Sequence, residues 1–191
     1  MKLHKTALAG FLLVGSLALT GCTVNVNTAD SHQGMMDQTD TSEYSRSDIM
    51  FAQMMIPHHQ QAVDMGTLAE TRASNPKVKA LAAQIKAEQA PEIETMKGWL
   101  DTANASLDMG HDMGMDGMLT DDEFEALKNS TGAEFDKLYL EGMINHHGGA
   151  ISMAVMVMHS KNANVKAMSA AILASQVKEV KYMQQLLKDL G

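Results

Sequence analysis

Apolar residues recur at spacings of three and four along most of the chain after residue 47, with little of the strict alternation that marks a β-strand. The stripe formed by Ile85, Ile93, Met96 and Leu100 is one example. Such a stripe is typical of a helix that buries one face against its neighbours. The pattern predicts long helices over 48–72, 76–104, 132–160 and 164–189, and a short helix over 121–129.

Residues at the predicted helix ends support these boundaries. The Asn75–Pro76 pair fits an N-cap followed by proline at the first helical position. Thr120–Glu123 and Thr131–Glu134 both fit the reciprocal capping box. Because two tight turns and one long central connection would join the long helices, we predict an all-α fold, a four-helix bundle made of two helical hairpins.

One sequence motif occurs twice. MMIPHHQQAVDM at 54–65 matches GMINHHGGAISM at 142–153 at an offset of 88 residues, so that two adjacent histidines lie among methionines in both copies. The similarity continues downstream at an offset of 87. There the aligned positions include Gln89 with Gln176, Glu92 with Glu179, and Met96 with Met183. The repeat is therefore a two-helix unit of roughly 50 residues.

The paired histidines are harder to explain as core residues than the methionines are. On a helical wheel His58 lies inside the apolar stripe and His59 at its edge, and the second copy repeats this arrangement. Methionine at helical spacing often only fills a core, but buried imidazoles need polar partners. Met55 and His59 are i,i+4 neighbours that could hold one ion, as are Met143 and His147. The predicted metal ligands are Met54, Met55, His58, His59 and Met65 in the first copy and Met143, His146, His147 and Met153 in the second, with Met96 and Met183 on faces that could lean toward them.

The ligand types narrow the choice of metal. A thioether favours copper(I) or silver(I), imidazole accepts either copper state, and zinc, calcium and magnesium make little use of methionine. A di-iron bundle needs Glu-x-x-His on its helices, and no histidine of this chain has a glutamate three residues before it. Copper, as copper(I) and also copper(II), is therefore the predicted metal, and silver(I) would suit the same ligands.

A second group of soft side chains lies in the central connection, LDMGHDMGMDGM at 107–118. Its glycines and aspartates can neither pack a core nor hold a helix. Exposed methionines without a core role favour soft-metal binding, although a flexible linker with incidental methionines is the alternative. The predicted ligands here are Met109, His111, Met113, Met115 and Met118, and a smaller cluster before the first helix contains His32, Met35 and Met36.

The N-terminus predicts export and a lipid anchor. Lys2 and Lys5 precede an apolar run from Ala7 to Ala18, which is too short to span a membrane and is typical of a signal peptide. The following LTGC resembles a bacterial lipobox and ends at Cys22, although a buried structural cysteine is the alternative. We predict a signal peptide over 1–21, a polar flexible tether over 22–47 with lipid on Cys22, and a four-helix metal-binding domain over 48–191.

The charge balance argues against nucleic acid as a partner. After the signal peptide is removed, 13 basic residues (15 minus Lys2 and Lys5) face 23 acidic ones. Nucleic-acid binding is therefore not expected. The roughly 145 residues that follow the tether are enough for one domain with its own core.

The doubled pattern M-x-x-H-H-x-x-A-[VI]-x-M, with the downstream Gln, Glu and Met of each repeat, resembles the family called domain of unknown function 305. The resemblance covers roughly 48–190. It implies a ferritin-like four-helix bundle that binds copper outside the cytoplasm. Two departures stand out, because Gly142 replaces the equivalent of Met54 and Gly148–Gly149 replaces Gln60–Gln61. The second copper site is therefore expected to lack one thioether.

The predicted function is capture or buffering of copper, without catalysis, by a membrane-anchored lipoprotein of the bacterial envelope that exchanges copper with other envelope proteins. A metal-dependent oxidase is one alternative, but it would need acid–base groups near the histidines. The candidates Glu70, Glu92 and Glu179 all lie more than one helical turn from either pair along the chain. A metal-free lipoprotein that binds a partner through a methionine-rich face is the other alternative. The sequence leaves open whether the chain forms a homo-oligomer and whether the two histidine pairs share ions.

Overall fold

Five helices dominate the computed structural model, which describes residues 43–108 and 116–190. They are α1 (Arg46–Arg72), α2 (Pro76–Thr102), α3 (Asp121–Asn129), α4 (Gly132–Val157) and α5 (Ala163–Leu190). Each begins and ends within three residues of its predicted bounds, so the all-α prediction of two helical hairpins is confirmed. The finer ferritin-like assignment stays a prediction. Among the helices described here, none is both long and apolar enough to cross a membrane.

Two of the predicted helix caps are present. The Asn75 side chain accepts a hydrogen bond of 2.9 Å from the Lys77 backbone N–H, directly before Pro76 at the start of α2. Thr120 and Glu123 form the reciprocal capping box at the start of α3. Each cap satisfies backbone donors that the first helical turn leaves free.

The start of α4 departs from the prediction. Thr131 is the N-cap residue, but its side chain makes no cap hydrogen bond, so the predicted box with Glu134 is wrong. Gly132 has a φ of 68° and forms an isolated parallel bridge with Ala73 in the α1–α2 turn. A capping box requires right-handed helical backbone from the first helical residue onward, and the left-handed φ of Gly132 departs from it. Asp136 of α4 stabilises the α1–α2 turn. Its carboxylate accepts hydrogen bonds from the backbone N–H groups of Ser74 and Asn75.

The last residues of the predicted tether belong to the described fold. Tyr44 is only 5% exposed, and its ring stacks on that of Trp99 with centroids 5.9 Å apart. Ser45 and Asp48 form a reciprocal capping box that opens α1. The first helix is thus fixed in place by contacts that begin four residues before the apolar periodicity does.

The apolar core is divided into two clusters, and α1 and α4 run antiparallel through both. The first apolar cluster joins the N-terminal half of α1 to the C-terminal half of α4, as at Phe51 and Ala154. The second apolar cluster joins the C-terminal half of α1 to the start of α4, as at Ala69 and Phe135. Helix α2 packs on α1 and α5 packs on α4, and both contribute side chains to each cluster. Every long helix therefore passes from one cluster to the other through the middle of the bundle.

Candidate metal centre

Polar side chains occupy the middle of the bundle, where each long helix passes between the two apolar clusters. This polar layer consists of His58, His59, Gln89, Glu92, His146, His147, Gln176 and Glu179. Seven of its eight members are buried, and only the Glu92 side chain, which is 24% exposed, reaches solvent. Burial of polar groups is costly unless they are hydrogen-bonded. The hydrogen bonds among these groups therefore decide which of their nitrogen and oxygen atoms remain free to bind a ligand.

The two inner histidines, one from each repeat, meet at the centre of the layer. The rings of His58 and His146 have centroids 3.7 Å apart and planes tilted by 35°. His146 Nε2 donates a hydrogen bond of 2.8 Å to the His58 carbonyl oxygen. In a neutral imidazole this donation leaves Nδ1 as a lone-pair atom, and His146 Nδ1 is buried without a hydrogen-bond partner. His58 Nδ1 is likewise unpartnered, while His58 Nε2 lies near the Asp116 backbone without a well-formed hydrogen bond.

The two outer histidines, which a helical wheel places at the edge of the apolar stripe, are fully buried. The second helix of each hairpin places a glutamate against them. His59 Nε2 lies 2.9 Å from Glu92 Oε2, and His147 Nε2 lies 2.7 Å from Glu179 Oε2. When each neutral imidazole donates its Nε2–H to the carboxylate, its Nδ1 remains a free lone-pair atom, and both Nδ1 atoms are buried without a partner. A carboxylate that orients an imidazole in this way is usual for histidines that bind metals.

Burial holds the inner histidine pair in the neutral form. Desolvation, with a smaller contribution from neighbouring imidazoles, lowers the pKa of His58 from 6.5 to about 3. The same causes, together with the closeness of His58, lower the pKa of His146 well below 6.5. Neutral imidazole is the form that binds a metal ion, so at neutral pH the inner pair can bind one without releasing a proton.

Buried methionines flank the polar layer on both sides. Met55, Met96 and Met153 belong to the first apolar cluster, and their repeat equivalents Met143, Met183 and Met65 belong to the second. Met54 is partly buried against the first cluster. Because α1 and α4 are antiparallel, Met65 lies with the methionines of the second repeat and Met153 with those of the first. Each side of the layer therefore carries three buried thioethers drawn from both repeats, and the first side has Met54 in addition.

The remaining predicted ligands fall mostly outside the described residues. Met118 is described, is partly buried, and lines a cavity of about 520 Å³ between the central connection and α4. The residues that lie outside the described ranges are Cys22, His32, Met35, Met36, Met109, His111, Met113 and Met115.

The two glutamates of the polar layer are the site residues whose role the sequence did not reveal. Glu92 is 33 residues from His59 and Glu179 is 32 residues from His147, so only tertiary packing shows the contact. The repeat nevertheless indicated a shared role for the two glutamates, because Glu92 and Glu179 are aligned and each falls on the apolar stripe of its helix. The third candidate carboxylate, Glu70, pairs instead with Lys86 at 2.7 Å on the surface. Within residues 43–108 and 116–190, no group of three or more His, Cys, Asp or Glu side chains is arranged to hold a metal ion.

A model of the domain of unknown function 305 (DUF305) matches residues 48–187. The chain belongs to the DUF305 family. A DUF305 protein from Streptomyces coelicolor is 33% identical, with a TM-score of 0.71 over 76% of this chain and 94% of that protein. CopM in its copper(II)-bound form is 32% identical, with a TM-score of 0.66 over 75% of this chain and 97% of CopM. A DUF305 fragment from Deinococcus radiodurans, 23% identical with a TM-score of 0.69 over 76% of this chain and 97% of that fragment, shares the fold. A comparison with curated proteins gave no match.

Proposed function

We propose that this DUF305 protein binds copper(I), and also copper(II) and silver(I), at the polar layer and its flanking methionines, and that it captures or buffers copper outside the cytoplasm. The proposal rests chiefly on the three buried Nδ1 atoms of His59, His146 and His147. Each has a free lone pair, because Nε2 of the same ring carries the proton and donates it in a hydrogen bond. An unpartnered buried polar atom costs about 1–3 kcal/mol. Coordination of a metal ion would remove that cost.

The donor types support the choice of metal. Imidazole nitrogen combined with thioether sulfur suits copper(I) and silver(I) better than zinc or magnesium. CopM, which is similar to this chain over most of its length, has been crystallised with copper(II), copper(I) and silver. We propose binding without turnover, because Glu92 and Glu179 are each engaged in a hydrogen bond that orients an imidazole.

Titration of the protein with copper(I) in the presence of a competing chelator, without oxygen, tests this function. The protein is expected to take copper(I) from the chelator and silver(I) from solution, and to leave zinc(II) largely unbound. In air, the bound copper(I) is expected to oxidise no faster than copper(I) held by the chelator. Failure to compete for copper(I), or catalytic oxidation of it, would show that the proposed function is wrong.

The carboxylates of the polar layer are expected to raise the affinity for copper. Glu92→Gln with Glu179→Gln keeps the shape of both side chains but removes the charge that orients and polarises His59 and His147. Loss of such outer partners typically lowers metal affinity by about 10–100-fold. Glu70→Gln is the matched control, since Glu70 lies on the surface with Lys86. The competition titration measures the copper(I) affinity of both variants. Equal affinities would show that the Glu92 and Glu179 carboxylates do not contribute to the site.

The anchor is a separate proposal that rests on the sequence alone. Cys22→Ser is expected to leave soluble protein or unprocessed precursor, because the lipid would no longer have its attachment point. Copper binding is expected to be unchanged. Thr23→Ala is a control at the neighbouring position, and cell fractionation is the measurement. If the Cys22 variant stays with the membrane in mature form, the lipid anchor is wrong while the copper site is unaffected.

A further inference from the structure

The central connection rejoins the bundle through a short stretch, the Asp116–Leu119 segment, that lies directly on α4. A Cβ built on Gly117 would be 2.5 Å from the Asn145 carbonyl oxygen and 2.9 Å from the Gly149 nitrogen. Gly149 in turn faces the Asp116 carbonyl oxygen so closely that no Cβ could stand between them. The segment and α4 therefore meet backbone to backbone at residues that flank the histidines of the second repeat, and only glycine permits this approach.

The Gln61 side chain of α1 forms hydrogen bonds with the same segment. The Gln61 amide forms two hydrogen bonds with the Leu119 backbone, from Gln61 Nε2 to the carbonyl oxygen at 3.0 Å and from the Leu119 N–H to Gln61 Oε1 at 2.8 Å. Gln61 and Gly149 occupy equivalent positions of the two repeats. One position binds the segment and the other leaves room for it. The repeats thus differ here because the segment lies across them.

The second departure between the repeats has the same physical cause. Gly142 stands where the first repeat has Met54. A Cβ on Gly142 would lie 3.1 Å from Leu119 Cδ1, so the Leu119 side chain occupies the space that a methionine would need. The second repeat therefore lacks this thioether at the position where the Leu119 side chain packs on α4.

The segment covers one of the two inner histidines. A Cβ on Gly149 would lie 3.0 Å from His58 Nε2, so this edge of the His58 ring points at the contact between Gly149 and Asp116. His146 differs, because its Nε2 is already committed to the His58 carbonyl oxygen. The cavity of about 520 Å³ beside this contact is lined by Met118 and by the polar residues Asp116, Asn145 and Ser152. Gly149 also lines this cavity, so the cavity reaches the contact that covers His58.

We propose that the Asp116–Leu119 segment controls access to the inner histidine pair, and that a soft monovalent cation passes between the cavity beside Met118 and His58 when the segment lifts. Gln61 and Gly149 are positioning residues that hold the segment closed. This inference rests on the proposed function. It gives the two repeats different roles, since the cation exchanges on the His58 side.

The rates of copper(I) uptake and of its removal by excess chelator test the proposal. Gln61→Ala deletes both hydrogen bonds to Leu119, and its matched control is Gln60→Ala, because Gln60 is exposed and bonds only to Asp64 on its own helix. Gly149→Ala forces the segment away, and its matched control is Gly148→Ala, where a Cβ would meet nothing within 4 Å. Because a Cβ on Gly149 would also touch His58, the Gln61 pair tests the proposal independently.

Gln61→Ala is expected to raise both rates by roughly 30-fold, the effect of losing two hydrogen bonds of typical net strength. Gly149→Ala is expected to raise both rates as well, because its Cβ displaces the segment. The equilibrium affinity should change much less, since a barrier is lowered in both directions. Hydrogen exchange of the Leu119 amide should be faster in Gln61→Ala, and both controls should match the wild type. Equal rates for Gln61→Ala and Gln60→Ala would overturn the proposal, as would a loss of affinity with unchanged uptake. A wild-type protein that takes up no copper(I) would instead overturn the proposed function, and this inference with it.

Discussion

Replacement of His58 and His146 together by alanine is expected to abolish the tightest copper(I) site, lowering the affinity by more than about 100-fold, the upper end of what loss of a metal's outer-shell partners costs. The two rings are in contact at 3.7 Å and are the point at which the repeats meet, so their removal takes a ligand from both halves of the site at once. The competition titration with copper(I) is the measurement.

Two controls separate this effect from a general loss of soft ligands. His159→Ala removes an exposed histidine just beyond the C-terminal end of α4 and should leave the tightest site intact. Replacing Met109, Met113, Met115 and Met118 by leucine should lower the number of copper(I) ions bound and leave the affinity of the tightest site unchanged, because we propose that this site lies in the polar layer. If the methionine variant loses the tightest site while the double histidine variant binds normally, the principal site lies in the connection and not in the bundle.

The metal-free protein is expected to lose folding stability in mild acid. Above pH 6.5 His58 and His146 are neutral in both the folded and the unfolded chain and add nothing to the pH dependence. Below it, the unfolded chain takes up protons that the fold excludes, since the pKa of His58 is lowered to about 3 and that of His146 well below 6.5. The free energy of unfolding should then fall by about 1.4 kcal/mol per pH unit for each histidine. Near pH 4.5 the loss from His58 alone would reach about 3 kcal/mol, and His146 would add to it, against a usual total of 5–15 kcal/mol.

Urea unfolding of the metal-free protein across the range from about pH 7.5 to about pH 4.5 measures this effect. The reference is the variant His58→Asn with His146→Asn, which retains the other ionisable groups. The wild type should lose stability more steeply than this variant, by about one proton per molecule from His58 at the lower end and by a further contribution from His146. Parallel curves for the two proteins would show that the inner pair is not kept neutral by the fold. Bound copper(I) should shift the wild-type curve upward by mass action.

The sequence was sufficient for the helices and for the histidine pairs, because both depend on local spacing. Apolar periodicity locates a helix to within a few residues, and a motif that repeats in frame shows that two side chains occupy equivalent places. The capping box predicted at the start of α4 is wrong, because the bridge between Gly132 and Ala73 is a long-range contact that overrides a local capping pattern. Local rules decide a helix end only when no tertiary contact competes with them.

The histidines and methionines of the candidate site could be proposed from the sequence, but its glutamates and the contacts between its members could not. The contacts of Glu92 with His59 and of Glu179 with His147 depend on how each hairpin packs, and the burial of the outer histidines follows from those contacts. The exchange of Met65 and Met153 between the repeats depends on the antiparallel relation of α1 and α4, which spacing along one helix does not reveal. Those features set which nitrogen of each imidazole is available.

Copper binding at the polar layer requires a free Nδ1 on each imidazole, and imidazole ¹⁵N NMR with added silver(I) or copper(I) can detect its use, since both ions are diamagnetic. The first metal added is expected to shift the Nδ1 resonances in the polar layer, including those of His146, His59 and His147, while Nε2 of these three stays protonated and bonded to its present acceptor. If those Nδ1 resonances remain unchanged while His111 or His159 responds first, the copper site is not in the polar layer.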